Sequence, residues 1–212
     1  MKEKTIIFDF DGVIADTFYS VMKIMGKLCR EFGFRRMKAN EVEEFRDKSA
    51  KEIFKTLGIT KDTLPHYLEK VRYWQSLEVK NTKIFPGIKK TLIDLKKTGF
   101  RLRILSSNSL ENIKKFLEIN SIDLKIFDFI AAEIGAFGKG KIISELLKEK
   151  SLEADEVFYI VDEARDIEAA KEAGIKTIAV TWGYNSKKAL LEQKPDYFVD
   201  RPEEILKILP GD

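Results

Sequence analysis

Thr5-Ile6-Ile7-Phe8-Asp9-Phe10-Asp11-Gly12 is the stretch on which the reading of this chain turns. Four strand-favouring residues run straight into two carboxylates and a glycine. A continuous apolar run of this length fits a strand buried on both faces, as in a parallel sheet. Side chains two apart on an extended chain point the same way, so a strand over 4–10 sends Asp9 and Asp11 toward one pocket. Two facing carboxylates repel unless a cation sits beside them, and a hard divalent ion with oxygen ligands is the natural partner. Gly12 lets the backbone turn tightly behind the pair.

Two later segments repeat the design. Ser107-Asn108 follows Leu102-Arg103-Ile104-Leu105-Ser106, and Asp162-Glu163-Ala164-Arg165-Asp166 follows Val157-Phe158-Tyr159-Ile160-Val161. In an open α/β sheet, ligands bind in the crevice outside the carboxyl ends of the strands. The three segments are therefore expected to bring four carboxylates and a hydroxyl to one place. Asp166 and Glu163 taken alone fit the acidic first turn of a helix. Asn108 with Glu111 fits a capping box, and the free N–H groups of the helix behind it suit a phosphate. Lys139, next to Gly138 and Gly140, is placed to neutralise phosphate charge.

Between residues 16 and 82 only helical patterns appear. Phe18, Val21, Met22, Met25, Leu28, Cys29 and Phe32 recur at three- and four-residue spacing over 17–33. Further helices are expected near 40–47, from Ala50 to Leu57 with Gly58 as stop, and over 62–79. From residue 83 strands and helices alternate: helix 88–98, strand 101–106, helix 109–119, strand 126–132, helix 141–150, strand 157–161, helix 164–173, strand 176–180, helix 186–192, strand 197–199 and helix 202–208. This predicts an α/β fold, a doubly wound parallel sheet with a Rossmann-like core and an inserted all-helical cap. The core is expected over 1–15 and 83–212, and the cap over 16–82.

Composition narrows the classes of function. The 212 residues carry 38 Lys and Arg against 35 Asp and Glu, a net charge of +3, so no basic excess marks a nucleic-acid binder. The single cysteine, Cys29, excludes an intrachain disulfide and reads as a small core hydrophobe. The single histidine, His66, lies in charged surroundings that do not suit Ser-His-Asp catalysis. No membrane span or signal peptide is visible, and a cytoplasmic monomer or homodimer is expected.

Taken in order, Phe8-Asp9-Phe10-Asp11-Gly12-Val13-Ile14-Ala15-Asp16-Thr17, Ser107-Asn108-Ser109, Phe137-Gly138-Lys139 and Asp162-Glu163-Ala164-Arg165-Asp166 resemble the motifs of the haloacid dehalogenase-like hydrolase superfamily. The likeness runs on through Ala169-Ala170, Ala173-Gly174-Ile175 and Val180-Thr181-Trp182-Gly183-Tyr184, and is nearest to phosphoglycolate phosphatase-like members with a helical cap. The resemblance implies a phosphatase acting on a small-molecule phosphate ester. Asp9 would attack phosphorus and form an aspartyl-phosphate. Asp11 would protonate the leaving oxygen and then deprotonate the hydrolytic water. Mg²⁺ would be held by Asp9, the backbone carbonyl of Asp11 and Asp162, with Asp166 assisting. Ser107 and Lys139, with Asn108 beside them, would hold the phosphoryl oxygens. Arg46, Lys48 and Ser49, in a loop between cap helices, are candidates for substrate contact. One departure is Val161, where the family commonly has Gly before the aspartate.

Asp11 separates subclasses, since dehalogenases and phosphonate-cleaving relatives lack an acid there. A sugar phosphomutase keeps both acids and remains an alternative, as does a catalytically silent phosphoryl-ligand-binding protein. A phospho-acceptor receiver domain also gathers acids, a hydroxyl and a lysine. In that class the lysine follows all the acids, whereas Lys139 precedes Asp162.

Overall fold

The computed structural model describes residues 4–149 and 151–209. In chain order its elements are β1 (Thr5–Phe8), β2 (Ala15–Asp16), α1 (Phe18–Glu31), α2 (Val42–Arg46), α3 (Ala50–Leu57), α4 (Leu64–Glu78), β3 (Lys83–Ile84) and α5 (Ile88–Lys97). Then come β4 (Arg101–Leu105), α6 (Leu110–Ile119), β5 (Phe127–Ala131), α7 (Lys139–Glu149), β6 (Val157–Val161) and α8 (Ala164–Glu172). β7 (Lys176–Val180), α9 (Lys187–Glu192), β8 (Tyr197–Val199) and α10 (Ile205–Ile208) complete it. Residue 150, the expected end of a helix, lies outside the described residues.

Six strands form one parallel sheet in the order β5-β4-β1-β6-β7-β8. The chain leaves β1 toward β4 and β5, then returns to the other side of β1 for β6, β7 and β8. This reversal opens a crevice at the carboxyl end of β1, where open α/β sheets bind ligands. β1 and β6 are buried at every position, which is why both read as unbroken apolar runs. Ile6, Phe8, Ile104 and Ile160 pack on one face of the sheet with Leu92 of α5 and Phe116 of α6. Ile7, Tyr159 and Val161 pack on the other with Ile143 of α7 and Ile167 of α8. Each fully buried side chain of this size contributes roughly 1.5–3 kcal/mol, so the centre of the sheet is the rigid platform of the molecule.

Helices α1–α4 surround a cluster of their own, built on Leu28, Phe45, Leu57 and Tyr67, with Cys29 buried among them. Ser49 caps α3 in a reciprocal box with Glu52, and Gly58 closes it at φ 81°. That left-handed turn is cheap only for glycine.

Four sequence expectations need correction. β1 ends at Phe8, so Asp9–Gly12 is a loop and strand pleating does not align Asp9 with Asp11. Instead the chain folds back at Gly12, φ 79°, with a bridge from Asp11 to Ala15. The helical block is entered and left through strands that the residue pattern hid. β2 and β3 pair antiparallel, Ala15 opposite Ile84 and Asp16 opposite Lys83. Helix α7 starts at Lys139, two residues earlier than expected. Finally, Ser109 caps α6 by accepting from the Asn112 amide, which leaves Asn108 outside the helix for another use.

Candidate active site

Asp9, directly after β1, is 3% exposed. Its Oδ1 accepts from the Phe10 amide at 2.7 Å and its Oδ2 from Lys139 Nζ at 2.7 Å. The same ammonium donates to Asp166 Oδ2 at 2.8 Å. Lys139 stands in the first turn of α7 and Asp166 in the first turn of α8, two helices that pack together. Segments far apart in the chain thus meet in a buried triad, Asp9–Lys139–Asp166.

Asp162 follows β6 and is fully buried. Its Oδ2 accepts from the Tyr184 amide at 2.7 Å, while Oδ1 is buried with no hydrogen-bond partner. Gly12 and Gly183 enclose this carboxylate so tightly that a Cβ on either would collide with it. Val161, the departure from the family pattern, is a buried strand-end residue paired with Ala179, and Asp162 still emerges at the crevice.

Asp11 takes its contacts from two directions. Asn108 Nδ2 donates to Oδ1 and Oδ2 at 3.3 and 3.1 Å, and Gln75 Nε2 of α4 donates to Oδ1 at 3.1 Å. Asn108 is held in turn by Asn112, whose Nδ2 donates to Asn108 Oδ1 at 2.9 Å. Ser107 lines the pocket, and its carbonyl accepts from Arg72 Nη1 at 3.4 Å.

Burial pushes Asp9 and Asp162 well above the ordinary carboxylate range, and pushes Asp11 up to about 6. Burial acts on Asp166 the same way, yet Lys139 and Arg165 outweigh it and hold that carboxyl below its usual value. Lys139 stays protonated, since the fields of Asp166 and Asp9 override its own desolvation. Burial outweighs the field of the shared ammonium at Asp9, so without further positive charge this carboxyl favours its protonated form.

That imbalance fits a metal ion. Ligand oxygens of Asp9, Glu163 and Asp166 lie within 4.8 Å of one another. Asp162 adds a buried oxygen without a partner. An all-oxygen donor set of this charge suits a hard divalent cation. Glu163 is the member the sequence reading set aside as a helix-start residue. It heads α8, but its side chain caps nothing and pairs with Arg165 Nη2 at 2.5 Å.

The pocket above these groups has a volume of about 140 Å³. Asp9, Asp11, Ser107, Glu163 and Arg165 form its floor, and the helical block forms its roof. Of the three cap candidates, Arg46 lines the pocket and donates from Nη2 to the Gly183 carbonyl at 2.9 Å. Lys48 and Ser49 do not line it. Lys48 pairs with Glu44 at 2.6 Å, and Ser49 is the cap of α3. The roof is latched to the core by Asn185, whose Nδ2 donates to the Arg46 and Lys48 carbonyls at 2.9 and 3.1 Å. Its Oδ1 accepts from the Ala164 amide at the start of α8. Phe54 of the pocket wall also meets Phe137 edge to face at 6.4 Å. Gln75, Asn185 and Tyr184 were not singled out as site residues, and only the docking of roof on core reveals them.

The model of the haloacid dehalogenase-like hydrolases matches residues 6–180, a span that includes Asp9, Asp11, Ser107, Lys139, Asp162 and Asp166. The chain belongs to the haloacid dehalogenase-like hydrolase family. It is an enzyme of this hydrolase family, with phosphatases as its curated relatives. It is 29% identical over 204 residues to a phosphoglycolate phosphatase of Synechococcus elongatus, covering 96% of each chain. It is 24% identical to the pyrophosphatase PpaX of Bacillus mycoides, covering 99% of this chain and 98% of that one. Among solved structures, a haloacid dehalogenase-like family protein of Streptococcus pneumoniae superposes with a TM-score of 0.78 at 24% identity over 97% of both chains. CbbY of Rhodobacter sphaeroides, solved with phosphate, has a TM-score of 0.71 at 21% identity over 96% of both. At these identities the structural matches speak for the haloacid dehalogenase-like fold alone. Among the described residues no helix is long and apolar enough to cross a membrane.

Proposed function

We propose that this protein is a Mg²⁺-dependent phosphatase that hydrolyses a small-molecule phosphate monoester through an aspartyl-phosphate on Asp9, with phosphoglycolate phosphatase-like machinery. The observation that carries the reading is the triad. A buried carboxylate just after the switch-point strand is oriented by one ammonium, while Asp11, two residues on, is bonded instead by the amides of Asn108 and Gln75. Enzymes separate nucleophile from proton donor in this way, by giving paired acids different surroundings.

Asp9 is the nucleophile. Its backbone-bonded Oδ1 and its lysine-bonded Oδ2 fix the plane of the carboxylate, so the attacking oxygen needs no further ordering. Asp11 is the proton carrier. A carboxyl near 6 holds a proton for part of the population at neutral pH and accepts one again when water attacks. Lys139 and the Ser107 hydroxyl receive the phosphoryl oxygens. Asn108, which the resemblance assigns to phosphate, is better described as the residue that orients Asp11. Asp9, Asp162 and the Glu163–Asp166 segment would hold Mg²⁺. Once bound, the ion supplies charge neutralisation for the phosphoryl group. The helical insert over 16–82 acts as the cap that excludes water and selects the ester.

Hydrolysis of p-nitrophenyl phosphate tests this directly. Activity is expected with Mg²⁺, and its loss is expected in EDTA and in Asp9→Asn. No turnover under any metal condition, or full turnover by D9N, would refute the proposal.

A further inference from the structure

The pocket has two chemically different ends. Its polar end is the floor already described, together with the charged and amide-bearing cap residues on the wall, Arg46, Arg72 and Gln75. All three of these are turned to the core. Arg46 donates to the Gly183 carbonyl with its guanidinium 4.9 Å from the centre of the Phe18 ring. Arg72 donates to the Ser107 carbonyl and Gln75 to Asp11. Every other cap residue on the wall is apolar or aromatic, including Met22, Met25, Ile53, Phe54, Leu68 and Val71. The cavity therefore reaches from the acids into the interior of the helical insert.

A carboxylate or polyhydroxyl body lodged in that interior would be stripped of water. On that apolar part of the wall the polar group is the Tyr67 hydroxyl, buried without a hydrogen-bond partner, whereas the other unpartnered cap donor, Arg46 Nε, belongs to the polar end. One phenol does not replace the hydration of an anion. An apolar body meets no such penalty. The whole pocket, polar end included, is about 140 Å³, close to an apolar protein cavity known to admit a benzene ring, ~150 Å³, which makes one ring the upper bound for the body. Methionines add adaptable, polarisable surface to such a wall.

We propose that the substrate is the phosphate monoester of a short apolar alcohol, no larger than about one ring, with its body among the cap side chains and its phosphoryl group on Asp9. This rests on the phosphatase reading and narrows it, because it disfavours a two-carbon phospho-acid as the preferred substrate.

Two phosphonates that cannot be hydrolysed, benzylphosphonate and 3-phosphonopropionate, separate the possibilities. Their affinities for the full-length protein with Mg²⁺ are measured by calorimetry. Benzylphosphonate is expected to bind at least about tenfold tighter. Equal affinity, or a preference for the carboxylated ligand, overturns the proposal. Val71→Thr keeps the side-chain shape and adds a hydroxyl to the wall at a position that is only partly buried. It is expected to weaken benzylphosphonate about threefold and leave 3-phosphonopropionate unchanged, and an equal effect on both places the body elsewhere and also overturns the proposal. A protein that prefers the benzyl ligand yet hydrolyses no ester would sink the phosphatase reading and leave standing only the cavity's preference for an apolar body. Turnover combined with the opposite ligand preference would do the reverse.

Discussion

Gln75 Nε2 lies 3.1 Å from Asp11 Oδ1, a hydrogen bond from helix α4 of the insert to the loop behind β1. The two residues are 64 positions apart, and Gln75 is only 9% exposed. The proton carrier is therefore steadied from both sides, by Asn108 of the core and by an amide that arrives only when the roof is docked. Hydrogen bonds to charged groups are worth about 1.5–3 kcal/mol. Gln75→Leu removes the donor and keeps the volume. Its kcat is expected to fall roughly tenfold, with a smaller change in KM, as read by steady-state kinetics on p-nitrophenyl phosphate.

Lys139 faces two buried carboxylates. Removing one member of a buried ionic set costs about 3–5 kcal/mol, because the remaining charges lose their compensation. Lys139→Met is expected to abolish turnover and to lower the denaturation midpoint of the metal-free protein. Mg²⁺ should restore part of that stability, since it brings positive charge to the same acids. Chemical denaturation with and without the ion checks both effects.

Asp11 gives the metal-free protein a definite pH response. Burial raises its carboxyl from 3.8 to about 6, so the folded state keeps a proton that the unfolded chain releases. The stability this contributes is complete below about 3.8 and is lost as pH climbs through about 6. Asp9 and Asp162 are shifted the same way. Thermal melts in EDTA are expected to show the wild type losing stability between pH 4 and pH 7 relative to Asp11→Asn. The gain in Tm on adding Mg²⁺ should be larger at pH 7.5 than at pH 5, where protons compete for the same oxygens.

Asp162 sits between Gly12 and Gly183, with no room for a Cβ on either. Gly12 also needs its positive φ of 79°. Gly12→Ala is expected to displace the Asp162 carboxylate and to weaken Mg²⁺ at least tenfold while the sheet stays folded. Circular dichroism and metal titration by calorimetry report on the two separately.

Asn185 joins the start of α8 to the loop after α2. Asn185→Ala cuts both links of this latch. A several-fold rise in KM is expected, with kcat less affected, together with a drop in Tm of a few degrees.

Much of this design was legible in the chain itself, for a physical reason. Strands buried on both faces must be apolar throughout, so Thr5–Phe8 and Val157–Val161 announce themselves, and the acids just beyond them mark the crevice. The short ribbon of Ala15–Asp16 with Lys83–Ile84 was hidden because two residues carry no periodicity. Glu163 was hidden by a plausible alternative role at a helix start. Lys139 was flagged for its neighbours, but its place between two aspartates depends on how α7 packs against α8. Gln75 and Asn185 owe their roles to the docking of the insert on the core, which no local pattern encodes. Lys48 and Ser49 show the converse, polar loop residues whose partners lie within their own helices.

The most direct measurement is mass spectrometry of the enzyme acid-quenched during turnover of a phosphate monoester with Mg²⁺. A phosphoryl group on the peptide that carries Asp9, absent in Asp9→Asn and absent without the ion, is the expected result. Sustained turnover with no phosphoryl group on that peptide, or with the group on another residue, would contradict the assignment of Asp9 as nucleophile.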